Sequence, residues 1–130
     1  MRKFALIRIE QVKGKINFFK LEIDGKCEFD ELCKQLENRK EKSRLLVIYA
    51  IMDSVSNMIR LPGIKFKELT GRSPGDNVKE FEIKKRPYRV YLFKDNNGDI
   101  VVFGSAKSRQ KRDINRFRAI KYEYLKDKGK

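Results

Sequence analysis

Residues 87–113, PYRVYLFKDNNGDIVVFGSAKSRQKRD, carry the strongest fold signal in the chain. Two stretches within them, 88–94 and 99–104, are rich in β-branched and aromatic side chains, and Asn97–Gly98 between them is a strong hairpin signal. A third strand-like stretch, VKEFEI at 78–83, comes just before. The three stretches therefore predict an antiparallel meander, whose last strand leads into a run of positive charge.

The first part of the chain predicts another pair of strands. Residues 3–12 (KFALIRIEQV) and 16–24 (INFFKLEID) are rich in β-branched and aromatic side chains, and Lys13–Gly14 between them favours a turn. Apolar and polar side chains alternate within 16–24, which is typical of a strand with one buried and one wet face. We therefore expect an antiparallel hairpin here.

Apolar side chains at helical spacing mark three further segments. In the first, which begins at residue 28, they are Phe29, Leu32, Cys33 and Leu36. The second segment has Ser43 as its predicted cap and Leu61–Pro62 as its predicted end. Its apolar residues are Leu45, Tyr49, Met52, Val55 and Ile59. The third begins near Asp113, and its apolar residues are Ile114, Phe117, Ile120 and Tyr124.

The order of these elements is two strands, two helices, three strands and a helix, which predicts an α+β domain. We expect an antiparallel sheet of about 4–5 strands, with an N-terminal helical hairpin packed on it and a C-terminal helix, and with the helices gathered on one face. The 130 residues suit a single domain, because a chain of this length buries a sizeable core without a disulfide or a metal.

The charge of the chain predicts an acidic partner. Lys and Arg number 32 against 18 Asp and Glu, which gives a formal net charge of +14. Phosphate polyanions are the commonest partner of such a field, and an anionic membrane surface or an acidic protein would also satisfy it. With 40% hydrophobic residues, the chain is too apolar to be disordered.

The cysteine content argues against a disulfide scaffold or an ordinary zinc site. The chain has two cysteines, Cys27 and Cys33, and no histidine. We expect both thiols to be reduced core residues. The apolar start FALI is interrupted by Arg8 and Glu10, so we expect neither a signal peptide nor a membrane span, and a cytoplasmic location follows by default.

Strand alternation indicates where a functional surface lies. In residues 88–94, Arg89, Tyr91 and Phe93 point to one face. An arginine flanked by an aromatic ring and lying next to a basic loop fits a phosphate site with a platform on which a base stacks. Alternatively, Arg89 pairs with Glu80 or Glu82 across the hairpin and Tyr91 only packs.

The chain from about 18 to 125 resembles the RelE/ParE toxin superfamily, and specifically its HigB-like, phage-derived branch, in the order of its elements. The resemblance rests on short motifs within IKFKELTG and VKEFEIKKRPYRVYLFKDNNGDIVVFGSAKSRQKRDINRFRAI. The matching residues are Leu69, Gly71, Glu80, Tyr88, Arg89, Val90, Lys107, Gln110 and Lys111. The resemblance implies a RelE-like fold over about 18–125, to which the strand at 3–12 is an addition.

Family members are the toxin halves of bacterial type II toxin–antitoxin pairs. Many cut messenger RNA on the ribosome, and a sister group poisons DNA gyrase. The resemblance therefore implies a cognate antitoxin as partner, and mRNA with the ribosome as target. Without histidine, the RNA's own 2′-hydroxyl would be the nucleophile, and no metal or cofactor is expected.

The resemblance also implies roles for individual residues. Arg89 is expected to clamp the phosphate, and Tyr91 to stack on or orient a base. The residues expected to stabilise the transition state are Lys107, Arg109 and Lys111. Further nucleic-acid contacts are expected from Arg86, Arg112 and Arg116.

The sequence departs from the family pattern at two positions. Glu82 stands where a basic residue is common, and Ile114 stands where RelE-type enzymes place a tyrosine. Glu82 is expected either to serve as a general base for the 2′-hydroxyl or to mark an inactive or repurposed member. The alternatives to a ribonuclease are thus a non-catalytic protein that binds nucleic acid or an antitoxin, and a toxin that acts on gyrase.

Overall fold

The computed structural model describes residues 2–106 and 110–128. The strands are β1 Phe4–Arg8, β2 Phe18–Ile23, β3 Lys26–Cys27, β4 Phe66–Glu68, β5 Glu80–Lys85, β6 Tyr88–Lys94 and β7 Ile100–Ala106. The helices are α1 Glu28–Asn38, α2 Lys42–Ser56 and α3 Gln110–Lys128. The predicted α+β class is confirmed. In the described residues, no helix combines the length and the apolar character needed to span a membrane.

The strands form one mixed, seven-stranded sheet with the order β1-β2-β7-β6-β5-β4, in which the short β3 pairs with β2. The hairpin β1–β2 and the meander β5–β6–β7 are antiparallel, as predicted. However, β2 runs parallel to β7, so the prediction of a purely antiparallel sheet of 4–5 strands is wrong. The difference arises because the N-terminal hairpin docks beside the last strand of the meander, and because β3 and β4 add two short strands.

Helices cover both faces of the sheet, which corrects the expectation that they share one face. On one face, α1 and α2 pack on a core that includes Phe18, Val90 and Leu92. On the other, α3 packs on a core that includes Leu21 and Phe93. The prediction of a wet face on residues 16–24 is therefore wrong, since Phe18 and Leu21 point to opposite faces and both are buried.

The helices lie in the predicted segments of the chain, but the ends of the second helix differ from the predicted ones. In α1, Phe29, Leu32 and Leu36 are buried as expected. The second helix begins after Glu41 rather than at a Ser43 cap, and it ends at Ser56 rather than at Leu61–Pro62. The helix ends there because Met58 adopts a left-handed backbone with φ of 60°, and the Ser56 hydroxyl donates to the Ile16 carbonyl at 2.7 Å, which ties the end of the helix to the entry of β2. Ile59, expected on the apolar stripe, lies beyond the helix and is 56% exposed.

The third helix presents the predicted apolar side to the sheet. Phe117, Ile120 and Tyr124 are buried and Ile114 is partly buried in the same core. Both cysteines are free thiols, with Cys27 buried and Cys33 half-buried.

Candidate nucleic-acid interface

The candidate site is built around a buried carboxylate on β5. Glu82 has a fully buried side chain, and Arg89 on the neighbouring strand donates from Nη1 to both of its oxygens at 3.2 and 3.3 Å. The Lys84 Nζ lies 3.7 Å from Glu82 Oε1. Lys84 and Arg89 are cross-strand neighbours in the β5–β6 ladder, so both cations reach Glu82 from one end of the hairpin.

This cluster is the ion pair across the hairpin that alternation allowed, with Glu82 as the partner. A buried carboxylate is costly unless it is paired, and Arg89 and Lys84 both pair with Glu82 inside the fold. The cations themselves are only partly buried: the Arg89 side chain is 34% exposed and that of Lys84 is 28% exposed. The Arg89 side chain makes no further hydrogen bond to residues 2–106 or 110–128. Part of its guanidinium is therefore available to an external anion.

Tyr91 lies opposite Glu82 in the same ladder, but its ring is covered. The ring is 1% exposed and stacks on Phe117 of α3, with centroids 5.6 Å apart and planes 22° apart. The expected role of Tyr91 as a base-stacking platform is therefore corrected, because α3 lies on the face that this residue shares with Arg89. The sequence predicted the apolar side of α3 but not the face of the sheet that it covers.

The Tyr91 hydroxyl lies in the electrostatic field of Glu82 and Asp113. It is buried and has no hydrogen-bond partner within the described part of the chain. Burial, followed by the charges of Glu82 and Asp113, raises the pKa of this hydroxyl to about 12, although the Arg89 charge acts in the opposite direction. Tyr91 therefore stays protonated at neutral pH.

Several cations lie at the same end of the sheet. We call the set the basic rim: Lys84, Lys85, Arg86, Arg89, Lys111 and Arg112. The first four belong to the β5–β6 hairpin, and the last two are exposed in the first turn of α3. Arg89 pairs in register with Ala106, so the chain leaves β7 directly beside it. Lys107 and Arg109, two of the predicted catalytic cations, lie outside the described residues.

The remaining predicted nucleic-acid contacts have different surroundings. Arg86 is exposed in the β5–β6 turn, and its carbonyl accepts a hydrogen bond from Arg44 Nη1. Arg116 instead ties α3 to α1: its Nη1 donates to Glu28 at 3.0 Å, and its guanidinium lies 5.1 Å from the centre of the Phe103 ring. The hydrogen bond to Glu28 is the main reason that the pKa of Arg116 is raised. Arg116 thus has a structural partner, whereas no residue in 2–106 or 110–128 pairs with the Arg86 side chain.

A glycine on β7 makes the contact between α1 and α3 possible. A Cβ atom at Gly104 would lie 2.6 Å from Glu28 Cβ, so only glycine lets the first turn of α1 approach the strand this closely. Glu28 then extends past the strand to Arg116. The alternation of apolar and polar residues along β7 does not reveal this contact, since α1 and α3 are distant in sequence.

A second ionic cluster, further along α3, anchors the helix to the sheet. Glu80 on β5 is fully buried, with its Oε1 2.8 Å from Arg118 Nε and its Oε2 2.7 Å from Lys121 Nζ. Lys121 is also fully buried, and its Nζ lies 2.7 Å from Asp76 Oδ2 and donates to the Val78 carbonyl at 3.0 Å. Burial alone would raise the pKa of Asp76, but the hydrogen bonds from Lys121 and Val78 lower it overall. We call these four residues (Asp76, Glu80, Arg118 and Lys121) the buried ionic network.

The sequence prediction missed Lys84 as a member of the site. The signal was present, because Glu80, Glu82 and Lys84 alternate along EFEIKK and therefore share a face. Asp113 was named only as the start of a helix, although its charge acts on Tyr91.

The candidate site consists of charged side chains. Within residues 2–106 and 110–128, no group of His, Cys, Asp and Glu side chains is placed to hold a metal ion. Its chemical capacity is to bind and neutralise an anion at the basic rim. Comparison with protein-family models, with curated proteins and with solved structures finds no match for this chain.

Proposed function

We propose that this chain is the toxin of a bacterial type II toxin–antitoxin pair, that it binds RNA through the basic rim, and that it cuts mRNA as a metal-independent endoribonuclease. The observation that carries the proposal is the position of Arg89: it is held by the buried Glu82, it is partly exposed, and it lies beside the exit of β7. The net charge of +14 and the resemblance to the RelE/ParE superfamily support the same function.

In this proposal Arg89 contacts the RNA phosphate. A charge-assisted hydrogen bond from a guanidinium is strong and directional, and it is worth more where the donor is already oriented. Glu82 supplies that orientation by accepting from Nη1, which makes it a positioning residue. The general-base role considered for Glu82 is less compatible with a fully buried side chain, because a base must come within hydrogen-bond distance of the 2′-hydroxyl.

The remaining cations act on the backbone and on the developing charge. Lys111 and Arg112 are exposed at the start of α3, where they are available to neighbouring phosphates. The resemblance assigns Lys107 and Arg109 to the same task. Since lysine and arginine are charged at neutral pH, they stabilise negative charge in the transition state without a metal ion.

A second function, that of a non-catalytic protein that binds nucleic acid, is favoured by the burial of the candidate acid–base groups. Glu82 is fully buried, and Tyr91 is buried with a raised pKa. A site of this kind retains phosphate binding even without turnover. The two functions share the basic rim and differ in whether bound RNA is cut.

We expect expression of this chain alone to arrest growth of a bacterial host, and the double variant Glu82→Gln/Arg89→Gln to relieve the arrest. The double change removes the phosphate contact and the buried carboxylate together, so that no unpaired Glu82 is left in the fold. Growth curves after induction, with soluble protein measured in each culture, test this expectation.

Lys126→Ala is the matched control, because it removes an exposed cation from α3 outside the basic rim. It should leave the arrest intact. Normal growth on expression of soluble wild-type protein would count against a toxin, and arrest that persists in the double variant would remove Arg89 from the site.

We also expect RNA affinity to fall steeply with salt, because binding through phosphates releases counterions. For single-stranded RNA, each lost phosphate contact should reduce the slope of log K against log salt by about 0.7, so Lys111→Ala/Arg112→Ala should reduce it by about 1.4. Fluorescence anisotropy with a labelled oligonucleotide between 50 and about 300 mM NaCl measures the slope. An unchanged slope in this variant, with Lys126→Ala again as control, would place the RNA on another surface.

A further inference from the structure

The strand β1 has an open edge. Within residues 2–106 and 110–128, β1 pairs only with β2, at one end of the sheet order. The Asp24 amide donates to the Lys3 carbonyl and the Ile9 amide donates to the Phe18 carbonyl, so the odd-numbered residues of this segment bond to β2. In an antiparallel ladder the alternate residues then direct their N–H and C=O groups away from the partner. These alternate residues are Phe4, Leu6 and Arg8, and their backbone N–H and C=O groups face outward at the edge.

The side chains along β1 give this edge one apolar exposed face. Ala5 and Ile7 point to the face of α1 and are exposed, with Ile7 at 39%. Phe4 and Leu6 point to the face of α3 and are partly buried in its core, with the Phe4 ring edge-on to Tyr124 at 5.6 Å. The five register pairs run without a bulge, and the strand has no proline. The centre of β1 therefore lacks the bulges, prolines and charges with which proteins usually protect an edge strand.

We propose that β1 pairs with β1 of a second copy of this chain, in antiparallel register centred on Leu6. The outward-facing residues are symmetric about Leu6, so Phe4 of each copy pairs with Arg8 of the other, and about six backbone hydrogen bonds form. The same register places Ala5 of each copy opposite Ile7 of the other, which buries the exposed apolar face. A two-fold axis at Leu6 makes the interface self-complementary and closed, as a dimer of identical chains requires.

The side chains fit this register. Arg8 is exposed and comes opposite the partly buried Phe4 ring, where a guanidinium gains a cation–π contact. Arg2 lies before β1 and pairs with Glu123 at 3.3 Å, and Glu10 lies in the turn after β1, so neither residue belongs to the strand pair. Within β1 the register places no like charges opposite each other.

The charge of +14 on each copy opposes association at long range. Salt screens this repulsion, since the Debye length is about 8 Å at physiological ionic strength, whereas the contacts at the edge are local. A pair of five-residue strands is a small interface, so the dimer is expected to be weak and reversible. Its association should become tighter as salt rises, which is the opposite of the salt dependence of RNA binding. The inference does not rest on the proposed function, because the basic rim lies on the β5–β6 hairpin, away from β1 in the sheet.

Sedimentation equilibrium of the full chain, up to roughly 100 μM and between about 0.1 and 0.5 M NaCl, tests the proposal. We expect a monomer–dimer equilibrium that tightens with salt and that Ile7→Lys weakens at least about tenfold, because it replaces an apolar contact with a charge. Ile64→Lys is the matched control: it makes the same substitution at a 77% exposed isoleucine outside β1, and it should leave the dimer unchanged.

A second variant tests the backbone pairing separately from the side chains. Arg8→Pro removes an outward N–H that β2 does not use, a position at which an edge strand tolerates proline. It should weaken the dimer while its thermal unfolding shows a folded chain. A wild-type chain that stays monomeric under all these conditions would overturn the proposal, and so would a dimer that neither Ile7→Lys nor Arg8→Pro weakens.

The register itself is tested by cross-linking. A mixture of Ala5→Cys chains and Ile7→Cys chains should form a disulfide-linked dimer on mild oxidation, because these positions face each other across the two-fold axis. Wild-type chains, which contain Cys27 and Cys33, provide the background. Cross-linking no greater than this background in the mixture would contradict the register, and an RNA-binding defect in these variants would show that the edge and the basic rim are not separate surfaces.

Discussion

Replacement of Glu80 by alanine is expected to lower the free energy of unfolding by about 3–5 kcal/mol, because it leaves the buried Lys121 and the partly buried Arg118 without their shared carboxylate. Glu80 and Lys121 are both fully buried, and Arg118 is 16% exposed. After the change, Lys121 keeps Asp76 and the Val78 carbonyl, and Arg118 keeps the Thr70 carbonyl. These contacts do not offset the charge that is lost, so α3 should dock less firmly on the sheet.

Urea denaturation followed by far-UV circular dichroism measures this effect. Glu68→Ala is the control, since Glu68 is an exposed carboxylate on β4, and it should change the free energy of unfolding by less than about 0.5 kcal/mol. A loss below about 1 kcal/mol for Glu80→Ala would mean that the buried ionic network is not what fixes α3.

Local pattern was sufficient to predict the strands of the meander. The prediction of 88–94 coincides with β6, Tyr88–Lys94, because β-branched and aromatic residues fill the stretch and a turn signal ends it. The turn is held as expected of such a sequence, with the Asn97 and Asp99 amides donating to Asp95 Oδ1 at 2.9 and 3.0 Å. The β4 strand was missed because three residues, FKE, are too few to show a period.

The arrangement of the layers could not be predicted from periodicity, because it depends on contacts between distant parts of the chain. The parallel pairing of β2 with β7 joins residues about 80 positions apart, and no local motif encodes it. One available signal was overlooked: residues 90–93, VYLF, are apolar without alternation, which is typical of a strand covered on both faces. All four are buried in the structure.

The candidate site was predicted only in part, because its surroundings also depend on contacts between distant parts of the chain. Alternation correctly placed Arg89 and Tyr91 on one face and offered Glu82 as a partner for Arg89. It did not predict that Phe117 would cover Tyr91, since an amphipathic helix that follows the last strand can fold onto either face. Arg89 stays partly exposed whereas Tyr91 is buried. This difference in exposure is set by the position at which α3 begins on the sheet.

The proposed chemistry predicts that RNA with a single 2′-deoxy sugar at the cut site binds normally but is cut at least about a thousandfold more slowly. The reason is that attack by an adjacent hydroxyl has an effective molarity of roughly 10⁵ M or more, and water cannot replace it. Binding should persist, because Arg89, Lys111 and Arg112 act on phosphates, which the deoxy sugar leaves in place. Intact RNA should yield a 2′,3′-cyclic phosphate end and a 5′-hydroxyl end: the 2′-oxygen bonds to phosphorus, the bond from phosphorus to the 5′-oxygen breaks, and water takes the 2′-hydroxyl proton and protonates the leaving oxygen.

Cleavage is to be followed on denaturing gels with purified protein, with and without ribosomes, since the proposed function includes mRNA on the ribosome as a target. The control is a substrate with the deoxy sugar one nucleotide away from the cut site, which keeps the nucleophile and should be cut at the normal rate. Cleavage of the test substrate at the normal rate would eliminate attack by the 2′-hydroxyl. Failure to cut any RNA, together with normal salt-dependent binding, would instead favour the non-catalytic function, because the charges of the basic rim would then bind RNA without a group that takes the proton from the 2′-hydroxyl. Failure both to cut and to bind would direct attention to gyrase as the target.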